Sequence, residues 1–271
     1  MTIAALSAPT GLSELSVSNV TRVFAGSAKS PETIALHNAS FTARPGEFLS
    51  IIGPSGCGKS TLFNIIAGLD TPTSGEVEIN GSPIVGQQGH VGYLLQKDLL
   101  LPWRSVLNNV VIGLEIAGVP KGKARDIAMP LLEAYGLGDF VNHRPDQLSG
   151  GMRQRAALLR TILFNRDVIL LDEPFGKLDA QTRATMQEWL LDLWDDFQKT
   201  VVFVTHDIDE AIYLSDRVIV MSPRPGRIIA NLPVELERPR KPGIVTSTEF
   251  ITMKADILAM LHPANNQEVF Q

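Results

Sequence analysis

Apolar residues near the start fall at strand-like spacing, from Leu15 through Val17 and Val20 to Phe24, and again from Ile34 to Thr42. The Pro45-Gly46 turn leads into Phe48-Leu49-Ser50-Ile51-Ile52, a run of the kind that is buried on both faces of a sheet. After a glycine-rich loop the period becomes helical, with Leu62, Ile65, Ile66 and Leu69. Val77 and Ile79 then alternate with Glu76 and Glu78 before Asn80-Gly81, which predicts an antiparallel hairpin. A further buried strand is expected over Val91 to Leu95, ending on Gln96.

Helical periodicity dominates from about residue 97 to 164. One helix is expected over Val110 to Ala117, and a second carries Ile127, Leu131, Leu132 and Tyr135 up to a stop at Gly136. A long helix starts near Met152, and Pro130 predicts a kink or an early break in the helix before it. Apolar runs then return at Val168–Leu171 and Val201–Val204, separated by an amphipathic helix with Met186, Leu190 and Leu193. A helix over Asp209–Leu214, a strand over Arg217–Met221 and a turn at Pro223–Gly226 follow. Strands alternating with helices indicate an α/β core with a parallel sheet, joined by an antiparallel β part and a helical insert. The expected organisation is a tail over 1–13, one domain over 14–230 with its helical part at about 97–164, and a C-terminal tail over 231–271 holding a short helix.

The loop between the third strand and the first helix carries the chemistry. Gly53-Pro54-Ser55-Gly56-Cys57-Gly58-Lys59-Ser60-Thr61 places glycines where backbone N–H groups can turn inward around an anion. Lys59 can then reach terminal phosphates and the Ser60 hydroxyl can ligate Mg²⁺. The following helix N-terminus adds roughly half a positive charge at the same place, so a nucleoside triphosphate is the implied ligand. A second cradle of this sort, Leu148-Ser149-Gly150-Gly151-Met152, opens the long helix but has no comparable lysine. Asp172 and Glu173 follow an apolar strand, which puts Asp172 at the carboxyl end of the sheet, placed to hold Mg²⁺. Glu173, one residue on, is separated from that task and is placed to take a proton from an attacking water. His206 ends the next strand at the same edge, placed as a γ-phosphate sensor, and Phe24 is a candidate aromatic platform for a base. Gln96 is a polar amide at a strand end, and Leu99, Leu100, Leu101 and Trp103 beside it form a candidate docking surface.

Composition narrows the field. The 271 residues are 44% hydrophobic, enough for a sizeable core, and a net charge of -5 gives no extended basic surface, so nucleic acid is not an expected partner. Cys57 is the one cysteine, which excludes an intramolecular disulfide and suits a reducing, cytoplasmic setting. No apolar stretch approaches the ~20 residues that cross a bilayer, so any membrane role is expected to run through a partner.

In their order along the chain, the phosphate loop, Gln96, Leu-Ser-Gly-Gly-Met, the strand ending in Asp-Glu, Asp179 and His206 resemble the nucleotide-binding subunit of ATP-binding cassette (ABC) transporters, over about residues 14–230. The resemblance implies a P-loop NTPase core of the RecA-like kind with antiparallel and helical subdomains. It implies that Phe24 stacks on adenine, that Lys59, Ser60 and Thr61 hold phosphates and Mg²⁺ with Asp172, and that Gln96 links the metal to the transport partner. It further implies Glu173 as catalytic base, His206 on the γ-phosphate, Asp179 across a dimer interface, and Ser149 and Gly151 on the ATP of the other subunit. Two cradles but one lysine independently suggest a head-to-tail homodimer in which each ATP receives both. The expected setting is the inner face of the cell membrane, with integral permease subunits as direct partners and a solute-binding protein as an indirect one. Lys177 departs from the small residue usual in this family, which leaves the intersubunit contact there open. The stretches 96–103, 179–183 and Ser222–Arg227 look like the importer branch for nitrate, sulfonates, taurine and thiamine precursors. A non-transport ABC ATPase of repair or translation and a phosphate-loop kinase are the rival readings; release of free phosphate and ADP alone separates a pump from a kinase.

Overall fold

A computed structural model of the chain describes residues 12–26 and 31–262; the expected N-terminal tail lies outside them up to residue 11. The central sheet is six-stranded. Its strands are β3 (Phe48–Ile52), β6 (Gly92–Leu94), β7 (Val168–Asp172), β8 (Thr200–Thr205), β9 (Arg217–Met221) and β10 (Ile228–Pro233), in the order β10-β9-β3-β8-β7-β6. All are parallel except β10, which returns antiparallel beside β9. β3, β7 and β8 are buried throughout, and their side chains alternate between two hydrophobic clusters. Phe48, Ile52, Ile169, Leu171, Val201 and Phe203 face the first cluster, and Leu49, Ile51, Leu170, Val202 and Val204 the second. A period of two is therefore present in runs that read as uniformly apolar.

The second cluster is closed by α1 (Lys59–Ile66) and by a four-stranded antiparallel sheet. That sheet contains β1 (Leu15–Phe24), β2 (Thr33–Ala43), β4 (Ser74–Ile79) and β5 (Ser82–Pro83), with the Asn80-Gly81 turn joining the last two as expected. The first cluster takes the helical insert: α2 (Val106–Val110), α3 (Ile112–Ile116), α4 (Lys121–Ala134) and α5 (Gly150–Leu163). The stretch 110–117, expected as one helix, belongs to α2 and α3, divided at Val111. Pro130 neither ends nor breaks α4, which runs through it. The carbonyl that its missing N–H frees belongs to Asp126, an exposed residue, so water can satisfy it, and burial of Ala128, Leu131 and Leu132 offsets the remaining cost.

The helices α6 (Ala180–Phe197) and α7 (Ile208–Leu214) also pack into the first cluster. The residues beyond 230 complete β10, make a short 3-10 turn at Pro242–Thr246 and end in α8 (Thr248–Leu261). Phe250 and Ile257, both buried, join the first core cluster. Arg240 is also buried and caps the C-terminal end of α7, donating to the carbonyls of Ile212, Tyr213 and Ser215 at 3.0, 3.1 and 2.6 Å.

Candidate active site

The phosphate loop leaves β3 at Gly53 and enters α1 at Lys59, in the strand, loop and helix order that its flanks predict. Gly58 has φ of 108°, and a Cβ there would sit 2.8 Å from the Ala35 carbonyl oxygen, so glycine is required both by torsion and by the approach of β2. Lys59 is 6% exposed and its Nζ donates to the carbonyls of Gly53 at 2.7 Å and Pro54 at 3.2 Å. These contacts fold the ammonium back over the loop. Ser55, Gly56, Gly58, Lys59, Ser60 and Thr61 line a cleft of about 500 Å³, which Phe24, Gln96 and Glu173 also reach. Gly53, Pro54 and Cys57, expected with them, do not line it. The Cys57 side chain is 1% exposed, so the thiol does not face the cleft as a free reactive group.

Asp172 ends β7 and is 7% exposed, with Ser60, Lys59 and Tyr93 around its carboxyl. Burial, and after it the charge of Glu173, pushes its carboxyl above the ordinary value, while Ser60, Lys59 and Tyr93 pull the other way. Burial and the Asp172 charge raise the Tyr93 hydroxyl well above its usual value in turn. The Ser60 hydroxyl, the Asp172 carboxylate and the Gln96 amide form an all-oxygen donor set suited to a hard divalent ion such as Mg²⁺.

Glu173 turns away from this pair. Its φ is 45°, in the left-handed region, and its N–H donates to the Val204 carbonyl at 2.9 Å. Its Oε2 accepts from Gln96 Nε2 at 3.1 Å and lies 3.4 Å from His206 Nδ1. Three residues drawn from the ends of β6, β7 and β8 thus meet at one carboxylate oxygen. Phe24 is 41% exposed at the cleft, with the Arg22 guanidinium 4.6 Å from its ring centroid and held there by a bidentate pair with Asp70.

Ser149, Gly150, Gly151 and Asp179 stand outside the phosphate cleft. Ser149 caps α5 by accepting from Met152 N at 3.3 Å, with Gly150 and Gly151 opening the helix. Asp179 caps α6 by accepting from Thr182 N at 3.0 Å, a bond that holds its carboxyl below the ordinary value. Gly150 and Lys177 instead line a neighbouring hollow of about 440 Å³, which shares Gln96 and Glu173 with the first. In the leucine string, Leu100 is buried, whereas Leu99 and Trp103 are 51% and 70% exposed.

Arg224, Tyr93 and Arg183 are site neighbours that sequence reasoning did not place. Arg224 reaches the cleft from the turn between β9 and β10. Arg183 on α6 donates to the Leu178 carbonyl at 3.2 Å and pairs with Asp207 at 3.5 Å and Glu210 at 3.7 Å, so it ties the loop before Asp179 to the loop after His206. Arg183 and Arg224 lie in the stretches 179–183 and 222–227 that resemble the importer branch, and Tyr93 in an expected strand, but no local pattern aims any of the three at the site.

The family model described as ABC transporter matches residues 36–176. An uncharacterized ABC transporter ATP-binding protein of Methanocaldococcus jannaschii is 46% identical over 248 residues, covering 92% of this chain and 91% of that protein. The nitrate import ATP-binding protein of a Synechocystis strain is 39% identical over 260 residues, covering 94% and 97%. The taurine import ATP-binding protein of Rhizobium johnstonii is 42% identical over 233 residues, covering 84% and 89%. Among solved structures, the dimeric structure of a bacterial ABC transporter cassette matches with a TM-score of 0.70 at 33% identity, covering 82% of this chain and all of that one. The core, the antiparallel sheet and the helical insert follow the ABC ATPase fold, and no helix among the described residues is long and apolar enough to cross a membrane. The chain belongs to the ABC transporter family, as an ATP-binding subunit.

Proposed function

We propose that the chain hydrolyses ATP in a head-to-tail homodimer and thereby powers import of a small solute through membrane permease subunits. The observation that carries this reading is the division of the two anion cradles. The phosphate loop, Gln96, Glu173 and His206 surround one cleft, while Ser149 to Gly151 open α5 elsewhere. A second copy turned about a two-fold axis supplies the missing cradle to each site.

Backbone amides of the phosphate loop and Lys59 bind the triphosphate, with Phe24 on the adenine. Ser60 and Asp172, with Gln96, would hold Mg²⁺, which neutralises phosphate charge and polarises the γ-phosphoryl group. Glu173 Oε2 accepts the proton of the attacking water as its oxygen bonds to the γ-phosphorus, and the bond to the β,γ-bridging oxygen breaks to leave ADP and phosphate. His206 contacts the γ-phosphate and orients the Glu173 carboxylate from 3.4 Å. Asp179 lies across the subunit interface, and the exposed Lys177 beside it is solvated at its edge.

An apolar hollow between α3, α5 and β6, edged by the exposed Leu69, Leu95 and Ile116, is the proposed permease seat. Its neighbourhood to Gln96 would couple nucleotide state to the transport path, with the subunit peripheral on the cytoplasmic face. The taurine and nitrate importers among the relatives support a solute of the nitrate or taurine kind.

Complementation tests the shared site. K59A and S149A variants are each inactive under this reading, but a mixed dimer of the two has one intact site, and an equimolar mixture should recover about a quarter of normal turnover. Two inactive variants that stay inactive when mixed and shown to co-assemble would refute the shared site. Co-purification of the full chain with an integral membrane protein tests the permease, and a soluble nucleic-acid partner in its place would overturn the transport reading.

A further inference from the structure

The turn 222–227 between β9 and β10 is built for more than reversing the chain. Ser222 Oγ donates to the carbonyls of Pro223 and Pro225 and accepts from Arg227 N at 3.0 Å, which stitches the turn closed. Gly226 is wedged against the phosphate loop: its N–H donates to the Ala35 carbonyl, its own carbonyl accepts from His37 N, and a Cβ on it would fall 1.9 Å from the Cys57 carbonyl oxygen. No other residue type fits there. The wedge delivers Arg224 to the rim of the phosphate cleft, where Nε and Nη2 both donate to the Gly56 carbonyl at 3.2 and 3.1 Å.

Those two bonds aim the guanidinium without neutralising it. Arg224 forms no salt bridge among the described residues, and Nη1, with the second hydrogen of Nη2, is free to donate elsewhere. Among the described residues it is, besides Lys59, the only cation lining the cleft. Lys59 is buried and folded onto carbonyls, whereas Arg224 is exposed at the opening, so the two present positive charge at different depths. A planar fork fixed on the loop itself suits phosphate oxygens better than a free surface arginine, because less of its rotational freedom remains to be lost.

We propose that Arg224 is a second cationic arm of the nucleotide site, which donates to the polyphosphate of the bound nucleoside triphosphate while it anchors the crest of the phosphate loop through Gly56. This rests on the nucleotide-binding reading above. The chemistry recognised is a phosphate anion, and the arm contributes to affinity and not to the hydrolytic step.

The test is the salt dependence of MgATP affinity for the full chain and for its R224Q and R224K variants, measured by titration calorimetry. Salt is taken from about 50 mM to about 500 mM, over which the screening length shrinks roughly threefold. At the low end R224Q should bind about five- to tenfold more weakly than the unaltered protein. The gap should close as salt rises, and R224K should keep most of the salt slope. An R224Q variant with unchanged affinity and slope overturns the proposal. A loss of equal size at every salt concentration also overturns it, since that is the mark of an arginine that only braces the loop. If the unaltered protein itself bound no MgATP, the nucleotide reading beneath would fall as well, an outcome distinct from the failure of Arg224 alone.

Discussion

Replacing Glu173 by Gln separates chemistry from binding more cleanly than any other single change at this site. The side chain keeps its length and one oxygen, so the bond from Gln96 Nε2, now 3.1 Å, can persist, and the backbone bond to Val204 is untouched. The group lost is the one that accepts a proton. General-base catalysis of this kind contributes ~10²–10⁴-fold, or about 3–5 kcal/mol of transition-state stabilisation, and turnover should fall by that factor. Affinity should move the other way. Glu173 places a negative charge on the cleft wall that Lys59 and Arg224 line, and removing it takes repulsion away from an incoming triphosphate. The folded protein should gain stability at neutral pH too, because the Glu173 charge is one of the forces that raise the Asp172 carboxyl. Single-turnover phosphate release, MgATP titration and urea unfolding measure the three effects separately. A variant that keeps more than about a tenth of the rate shows that another group accepts the proton, and one that binds MgATP more weakly refutes the electrostatic argument.

Three further outcomes follow from the geometry around the cleft. Arg240→Met leaves the Ile212, Tyr213 and Ser215 carbonyls without their donor and should cost ~3 kcal/mol, read as a lower urea midpoint at unchanged slope. Because burial holds the Asp172 carboxyl above its ordinary value, lowering pH should weaken Mg²⁺-dependent nucleotide binding before an ordinary carboxylate would protonate. Stability shifts oppositely at this residue: the folded state holds the proton where the unfolded chain has already released it, so Asp172 destabilises the fold above its folded pKa and that cost disappears on acidification, whereas D172N should flatten both curves. Arg183→Ala unties the Leu178 carbonyl from Asp207 and Glu210, and should lower kcat by ~10- to 100-fold with KM nearly unchanged; a change in KM alone would show that the tie does not position the reacting groups.

What was legible in the sequence is what is local along the chain. The phosphate loop reads directly because strand, glycines, lysine and helix are consecutive, and each apolar run became a strand because four or five adjacent residues carry the signal. The ordered series Gln96, Ser149, Asp172, Glu173, Asp179 and His206 was visible as candidates. The shared sheet edge of Asp172 and His206 and the helix start at Ser149 were legible too, whereas the meeting of Gln96 and His206 at one Glu173 oxygen was not, because it depends on strand order in the sheet. Arg224 meets Gly56 across 168 residues, and Tyr93 and Asp172 lie on neighbouring strands far apart in sequence, so no window of residues contains either pair. The extent of α4 and α8 was underestimated for different reasons. Pro130 is a strong local signal overridden by burial on the opposite face of the helix. In α8, Phe250 and Ile257 are seven residues apart and therefore share the buried face, a two-residue signal too sparse to set this helix apart from a tail.

One torsion does much to organise the edge of the sheet. Adjacent strand residues already point to opposite faces, which would carry Glu173 away from Asp172 but leave it on the sheet. The left-handed φ of 45° at Glu173, at a cost of about 1 kcal/mol, swings the carboxylate out of the strand and into reach of Gln96 and His206. Backbone hydrogen bonding to Val204 on the neighbouring strand pins that conformation where the ladder ends. The carboxylate then stands between two hollows, the phosphate cleft on one side and the hollow lined by Gly150 and Lys177 on the other. In the proposed dimer this is where a partner's cradle would have to act for its arrival to be felt by the proton acceptor. A glycine at 173 would adopt the same turn without strain, so E173G should fold at least as firmly as the unaltered chain while losing turnover, whereas E173A, which retains the strain, should not share the gain. Equal stabilities for the two would mean that the left-handed turn costs the fold nothing, and that the carboxylate alone accounts for its position.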